Sequence, residues 1–304
     1  MLFLLTFVIV HIVKNLGGNM RVLFCTDGSE ISLNAVHNAS QFLKEAIIDP
    51  ICIIDWSFLP TSMNIESEAY SKAYENIADS VLNFAENLIE EKGFVLGDKI
   101  KSFGSPVEGI LEQLEKKDYD LILLGSHGKK GIQKWLGSVS RQVISNTQIP
   151  IFISKKRTKD KKILFTVDGS DQSYNAVKSA VKLFDLQGKE ISIISVKENP
   201  ELLPMEATLD RNWLDAIEKQ QKIHATKAIN KVKVLLENAN VPVQNEIILT
   251  GNPAQQIIDF SEKEKLDLIV MGARTKTDLS KLLLGSVSKR VLENVNCDVL
   301  VISK

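Results

Sequence analysis

The chain has 304 residues, with 37 basic against 38 acidic side chains and 44% hydrophobic residues. That is length enough for two cores of ordinary size, and no global field would draw nucleic acid or an anionic membrane surface. Cys25, Cys52 and Cys297 are odd in number, far apart and set in apolar runs; this speaks against a disulfide framework or a metal site and fits a reducing, cytoplasmic setting with a small-molecule partner.

Residues 1–19 open with the apolar run MLFLLTFVIVHIV, which reaches only to Lys14 and falls short of the roughly 20 residues that span a bilayer. It lacks a basic n-region and an A-x-A site. Met20 stands directly before RVLFCT, so translation is expected to begin there, with 1–19 an upstream mis-assigned start or an apolar extension. An uncleaved membrane anchor is the alternative.

Arg21 to Thr26 is an apolar run ending in Asp27-Gly28-Ser29, which reads as a buried strand entering a turn. Leu33, Val36, Ala39, Phe42 and Leu43 follow at helical spacing. A strand over Ile51 to Phe58, a variable loop and a long helix before Lys92 come next. A third strand ends in Gly104-Ser105-Pro106, where proline suits the first turn of a helix with Val107, Ile110, Leu111 and Leu114 facing inward. Tyr119 to Leu124 is an apolar strand closed by Gly125. A glycine loop, a helix from Ser138 and the strand PIFIS complete the unit.

The chain then repeats itself. VLFCTDGSEISLNAV returns as ILFTVDGSDQSYNAV, with Asp168 for Asp27; Tyr174, Val177, Val181 and Phe184 renew the helix, and Glu190 to Val196 renews the second strand. A long helix before Glu237, Gly251-Asn252-Pro253, the strand Leu266 to Met271 closed by Gly272, a helix from Ser286 and DVLVIS follow in the same order. A repeat of this length marks duplicated domains and not a short solenoid. The expected bounds are 20–155 and 162–304, joined by a basic linker at 156–161.

Strands apolar on both faces and alternating with helices predict an α/β fold: two tandem open parallel five-stranded sheets of order 3-2-1-4-5, helices on both faces, Rossmann-like. In that order the first and fourth strands flank the usual ligand crevice at their carboxyl ends. Those ends carry the polar motifs of both copies.

Gly125-Ser126-His127-Gly128, then Gly137-Ser138-Val139-Ser140, sets an amide-rich loop ahead of a helix start, a combination suited to phosphate. An ordinary turn with Ser138 as a cap is the plainer alternative. No GK[ST] follows at Walker spacing, and no GxGxxG follows the first strand.

These residues resemble the universal stress protein family, whose loop is Gly-x2-Gly-x9-Gly-Ser/Thr and whose first strand ends in an Asp near adenine. The resemblance runs through both copies. It implies ATP, alone or with Mg2+, or a related adenine nucleotide, at the carboxyl edge of the sheet. Thr26 and Asp27 would meet adenine and ribose, and Gly125, Gly128, Gly137, Ser138, Val139 and Ser140 would wrap the phosphates, with Ser126 and His127 in the same loop and His127 contacting nucleotide or solvent. Their counterparts are Val167, Asp168, Gly272, Gly285, Ser286, Val287 and Ser288. The first loop is one residue short of the family spacing, and the second has Thr275 in place of the second glycine. Arg274 either pairs with phosphate or is a solvated surface residue. Asp27 and Asp168 also suit plain turn chemistry.

The expected function is a nucleotide-binding stress-response module, not an enzyme, without a nucleic-acid or membrane partner. The resemblance also implies that the two copies pair inside the chain through their last strands, PIFIS and DVLVIS, which are apolar enough to need such cover, with a further homodimer and a protein partner left open. The rival readings are a weak ATP hydrolase or phosphotransferase using His127, and an interaction scaffold that binds no nucleotide.

Overall fold

The computed structural model describes residues 20–55, 68–126, 136–155, 161–198, 211–273 and 284–303, without the side chains of 68–71 and 211–214. In the first half β1 (Met20–Cys25), α1 (Glu30–Ala39), β2 (Ala46–Ile54), α2 (Glu68–Glu91), β3 (Val95–Leu96), β4 (Ile100–Phe103), α3 (Pro106–Lys116), β5 (Leu121–Gly125), α4 (Ser138–Asn146) and β6 (Ile151–Ser154) follow one another. The second half runs β7 (Lys162–Thr166), α5 (Asp171–Leu183), β8 (Glu190–Lys197), α6 (Arg211–Asn238), β9 (Asn245–Thr250), α7 (Pro253–Glu264), β10 (Leu268–Gly272), α8 (Ser286–Asn294) and β11 (Asp298–Ile302).

The α/β class is as expected; the sheet count is not. The eleven strands of the described residues form one sheet, in the order β3-β2-β1-β5-β6-β11-β10-β7-β8-β9, with β4 also on β2. The third strand of the first half is broken into β3 and β4, so that half has six strands. Taking those two as one, each half runs 3-2-1-4-5, and the two runs meet where β6 pairs antiparallel with β11. Apolar PIFIS and DVLVIS would each be an open edge alone, and an open apolar edge templates further pairing; joined, they become the centre.

The join is a pseudo-two-fold. Phe152 stands opposite Leu300, its counterpart in the repeat, flanked by Ile151 opposite Val301 and Ile153 opposite Val299. A second crossing lies beside it: Leu43 bridges Phe184, its counterpart, through Lys44 N donating to Leu183 O (3.1 Å) and Asp185 N to Phe42 O (2.6 Å). Phe42 and Leu43 were expected on the first helix, but that helix ends at Ala39 and both are buried at the axis. The Phe184 ring lies 6.1 Å from Phe42 and 6.2 Å from Phe152, edge-on to the latter.

Strand residues alternate between two cores. Val22 and Phe24 join α1, α2, α5 and α6 on one face, and Leu23 and Cys25 join α3, α4, α7 and α8 on the other. Each core runs across the seam. Of the four apolar residues expected to face inward on α3, Ile110 is fully buried and the others are partly so.

β2 begins at Ala46, five residues before the expected Ile51, because Asp49 is not in a turn. It is wholly buried, taking Arg21 through both oxygens (3.1 Å each), Asp98 N (3.0 Å), Lys117 Nζ (2.6 Å) and Tyr119 Oη (2.9 Å). A carboxyl group is tolerated inside when it is paired and hydrogen-bonded in this way. Residues 56–58 of the expected strand lie outside the described residues.

Candidate functional site

β1 and β5 are neighbours in the sheet, with Cys25 beside Leu124, as are β7 and β10, with Phe165 beside Val270. At their carboxyl ends the chain turns through Thr26-Asp27-Gly28-Ser29 and its copy. Thr26 is buried; its Oγ1 lies 2.9 Å from Ser32 Oγ and accepts Gly28 N at 3.1 Å. Gly28 sits at φ 75° and Gly169 at 80°, the left-handed region that glycine enters without strain. Asp27 and Asp168 are exposed on the outer side of this turn.

Their carboxylates hold the turn. Asp27 Oδ1 accepts Ser29 N at 3.0 Å; Asp168 Oδ1 accepts Ser170 N at 2.9 Å and Ser170 Oγ at 2.5 Å. Val167, the counterpart of Thr26, is buried. Beside Thr26, burial pushes the Cys25 thiol well above its usual range, so it is inert as a nucleophile.

Gly125 and Gly272 meet helix backbone and not open space. A Cβ on Gly125 would lie 3.0 Å from the Ser32 backbone, and one on Gly272 would lie 3.1 Å from that of Gln172. In the structure they admit the first turns of α1 and α5 against the strand ends. Ser126 is buried; its N donates to Ser154 O (2.8 Å), and its carbonyl accepts Gly137 N (2.7 Å), which closes the base of the loop. Ala273 does the same with Ile302 O and Gly285 N. His127, Gly128, Arg274 and Thr275 lie outside the described residues.

The starts of α4 and α8 differ from their neighbours. Helices α1, α3, α5 and α7 are capped by Ser29, Ser105, Ser170 and Asn252, whose side chains accept a first-turn amide. At α4 and α8 the caps are Gly137 and Gly285, with no side-chain hydrogen bond and no acidic residue in the first turn. Among the described residues no cap side chain takes these first-turn amides, and the positive dipole end there suits an anionic acceptor.

The four residues of each GSVS motif do different things. Ser138 and Ser286 are exposed, while Val139 and Val287 pack side chains into the core. Ser140 and Ser288 are buried, their hydroxyls already donating to Gly125 O (2.8 Å) and Ala273 O (2.9 Å). These two hydroxyls tie the helix start to the strand end behind it, and the outward hydroxyls are those of Ser138 and Ser286. The Thr26–Ser32 tie was missed in the sequence, although serine recurs at 173, where it donates to Ser170 O. Among the described residues no group of three or more His, Cys, Asp or Glu is placed to hold a metal, and no helix is long and apolar enough to cross a membrane.

The model of the universal stress protein family matches residues 18–155 and again 160–303. Universal stress protein MJ0531 of Methanocaldococcus jannaschii is 40% identical over 148 residues, covering 47% of this chain and 82% of that protein. Slr1230 of Synechocystis sp. is 23% identical over 297 residues, 94% of this chain and 90% of its own. The crystal structure of a universal stress protein from Archaeoglobus fulgidus DSM 4304 superposes with a TM-score of 0.67 at 22% identity, covering 93% of this chain and 96% of that one.

Proposed function

Since the chain belongs to the universal stress protein family, we infer that it is a stress-response module that binds an adenine nucleotide, ATP with Mg2+, at the carboxyl edge of one or both halves. Residues 20–155 and 162–304 are its two domains, with 156–161 the linker, and the setting is the cytoplasm. The observation that carries this reading is the twice-repeated helix start at Gly137 and Gly285. It lacks the side-chain cap that the other four caps supply, and it follows the strands whose neighbours end in Asp27 and Asp168.

The donor set suits the group. First-turn amides and the exposed hydroxyls of Ser138 and Ser286 are donors for phosphate oxygens, and the dipole favours their charge. Bound nucleotide would supply phosphates as a ligand and a signal. The residues here orient it: the buried Thr26–Ser32 tie fixes the β1 turn, and Ser140 fixes α4 to β5. The module is read as a binder and not a hydrolase; His127, which the rival reading would use, lies outside the described residues.

Calorimetric titration with MgATP, on the full chain and on Gly137→Asp and Gly285→Asp, tests this. The caps lie at φ −58°, ψ 155° and φ −61°, ψ 153°, which aspartate adopts freely and where it is a favoured cap. The helix start survives while a carboxylate takes the phosphate's place, so the half that binds should lose affinity by roughly tenfold or more. Binding unchanged in the double variant, or none to the parent chain at millimolar ATP, overturns the reading. Phosphate release measured in the same samples should show no sustained turnover.

A further inference from the structure

The glycine-capped helix starts of the two halves differ in what stands behind them. Residues 137–155 and 285–303 repeat position by position, so Lys289 takes the place of Arg141, Ser145 that of Glu293 and Ser303 that of Lys155. Because β6 and β11 pair antiparallel, the end of α8 comes to the rim where α4 begins. There Arg141 of the first half meets Glu293 of the second, Nη2 to Oε1 at 3.4 Å. The same nitrogen donates to Leu136 O at 3.3 Å. The peptide that joins Leu136 to the Gly137 cap is thus held at both ends, its carbonyl by Arg141 and its N–H by Ser126 O at 2.7 Å.

An ion pair on an open surface holds little. This one is set in: the side chain of Arg141 is 40% exposed and that of Glu293 24%, and Arg141 Nε is buried with no partner among the described residues. The guanidinium is enclosed at its inner end and aimed at two oxygens by its outer one, a fork that arginine presents in fixed geometry. The helix that carries Glu293 is fastened as well. Lys155 Nζ, from the first half, donates to Leu292 O at 2.5 Å, and Lys155 N donates to the buried Asp298 at 2.8 Å. On the opposite rim serine stands where Glu293 does, so no such ion pair can form, and Ser303 reaches Ile144 O only at 3.5 Å.

We propose that Arg141 is a positioning residue for the nucleotide site of the first half, and that the second half completes that site by supplying Glu293. Arg141 acts through the Leu136–Gly137 peptide, which sets the direction of the α4 first-turn amides. This rests on the reading of the Gly137 helix start as a phosphate site. It adds that the two sites are unequal: the first is held from across the pseudo-two-fold, and the second, with Lys289 and Ser145, is not. A change at the end of α8 reaches the first site without passing through the first half's own strands.

Amide hydrogen exchange by NMR and calorimetric titration with MgATP, both on the full chain, test this together. In Glu293→Gln without nucleotide, the Gly137 amide should exchange about threefold to tenfold faster, and the Gly285 amide at the parent rate. Affinity at the first site, identified as the one lost in Gly137→Asp, should fall by a similar factor, the scale on which residues away from a ligand modulate its binding. Arg141→Gln should lose at least as much, and the double variant no more than Arg141→Gln alone, because both changes act on one contact. An arginine that touched phosphate directly would weaken binding in Arg141→Gln and leave it whole in Glu293→Gln. That result overturns the proposal, as does an unchanged Gly137 rate in Glu293→Gln or equal acceleration at Gly285. A parent chain that binds no MgATP overturns the nucleotide reading itself, and the role of Arg141 falls with it.

Discussion

Asn38 on the first helix donates through Nδ2 to Asp298 Oδ1 at the start of the last strand, 3.2 Å across 260 residues of chain. The same oxygen accepts Lys155 N at 2.8 Å, and Asn38 Nδ2 also reaches Ser154 Oγ at 3.1 Å. All four residues are buried where β6 meets β11. The repeat places Pro150 opposite Asp298 and Ser179 opposite Asn38, so this polar knot exists on one side of the pseudo-two-fold only.

Burial raises the Asp298 carboxyl to about 8, against the bonds from Lys155 and Asn38 that lower it. The folded chain therefore keeps a proton that the unfolded chain has lost above the ordinary carboxylate range. Stability falls as pH rises through that interval and levels off near 8. Burial lowers Lys155 to about 8, so above that value its contribution rises with pH and opposes any further loss. Urea unfolding across this range should show the decline in the parent chain and a much flatter profile in Asp298→Asn, with the two close in stability at the acid end.

Phe184 touches both Phe42 and Phe152 at the axis and is 1% exposed. Phe184→Ala should cost about 3–5 kcal/mol, the usual range for an aromatic removed from a core. Because both cores cross the seam, its unfolding by fluorescence and by circular dichroism should be compared. Transitions that separate in the variant but coincide in the parent would show the seam as the source of cooperativity between halves.

Asp49→Ala strips an acceptor from Arg21, Tyr119 and Lys117, and leaves Lys117 only its exposed partner Asp98 at 2.7 Å. About 1–3 kcal/mol is expected, the scale for leaving a buried polar group unsatisfied, since both cations reach water. Ser192→Ala at the same place in the second half should cost no more than about 1 kcal/mol, the scale of one neutral hydrogen bond. Chemical denaturation of the two variants side by side checks the contrast.

Gly125→Ala forces a methyl within 3.0 Å of the Ser32 backbone. The expected loss is about 1–3 kcal/mol, the range for overpacking, read as a lower melting temperature. A variant as stable as the parent would show that α1 can shift without cost.

The duplication and the class of fold were legible because they rest on period, apolar runs and repeats, and the pairing of the two terminal strands because the family resemblance implied it and both strands are apolar. What escaped needs partners distant in sequence. Asp49-Pro50 has the local signature of a turn, yet Asp49 lies inside a strand because Lys117 and Tyr119, 68 and 70 residues away, come to meet it. Phe42 and Leu43 keep helical spacing and so read as helix, but their cover is the other half of the chain. At the candidate site the motif was visible and the division of labour was not. Nothing in GSVS says which serine faces out; that depends on the carbonyls of Gly125 and Ala273 lying behind the helix.

The antiparallel join of β6 to β11 turns one half upside down relative to the other. Each long rim of the molecule therefore carries the helix starts of one copy and the opposite end of its twin. A protein approaching from one side meets a single glycine-capped site together with the other copy's differently evolved underside. Two near-repeats of one sequence thus present two unlike faces.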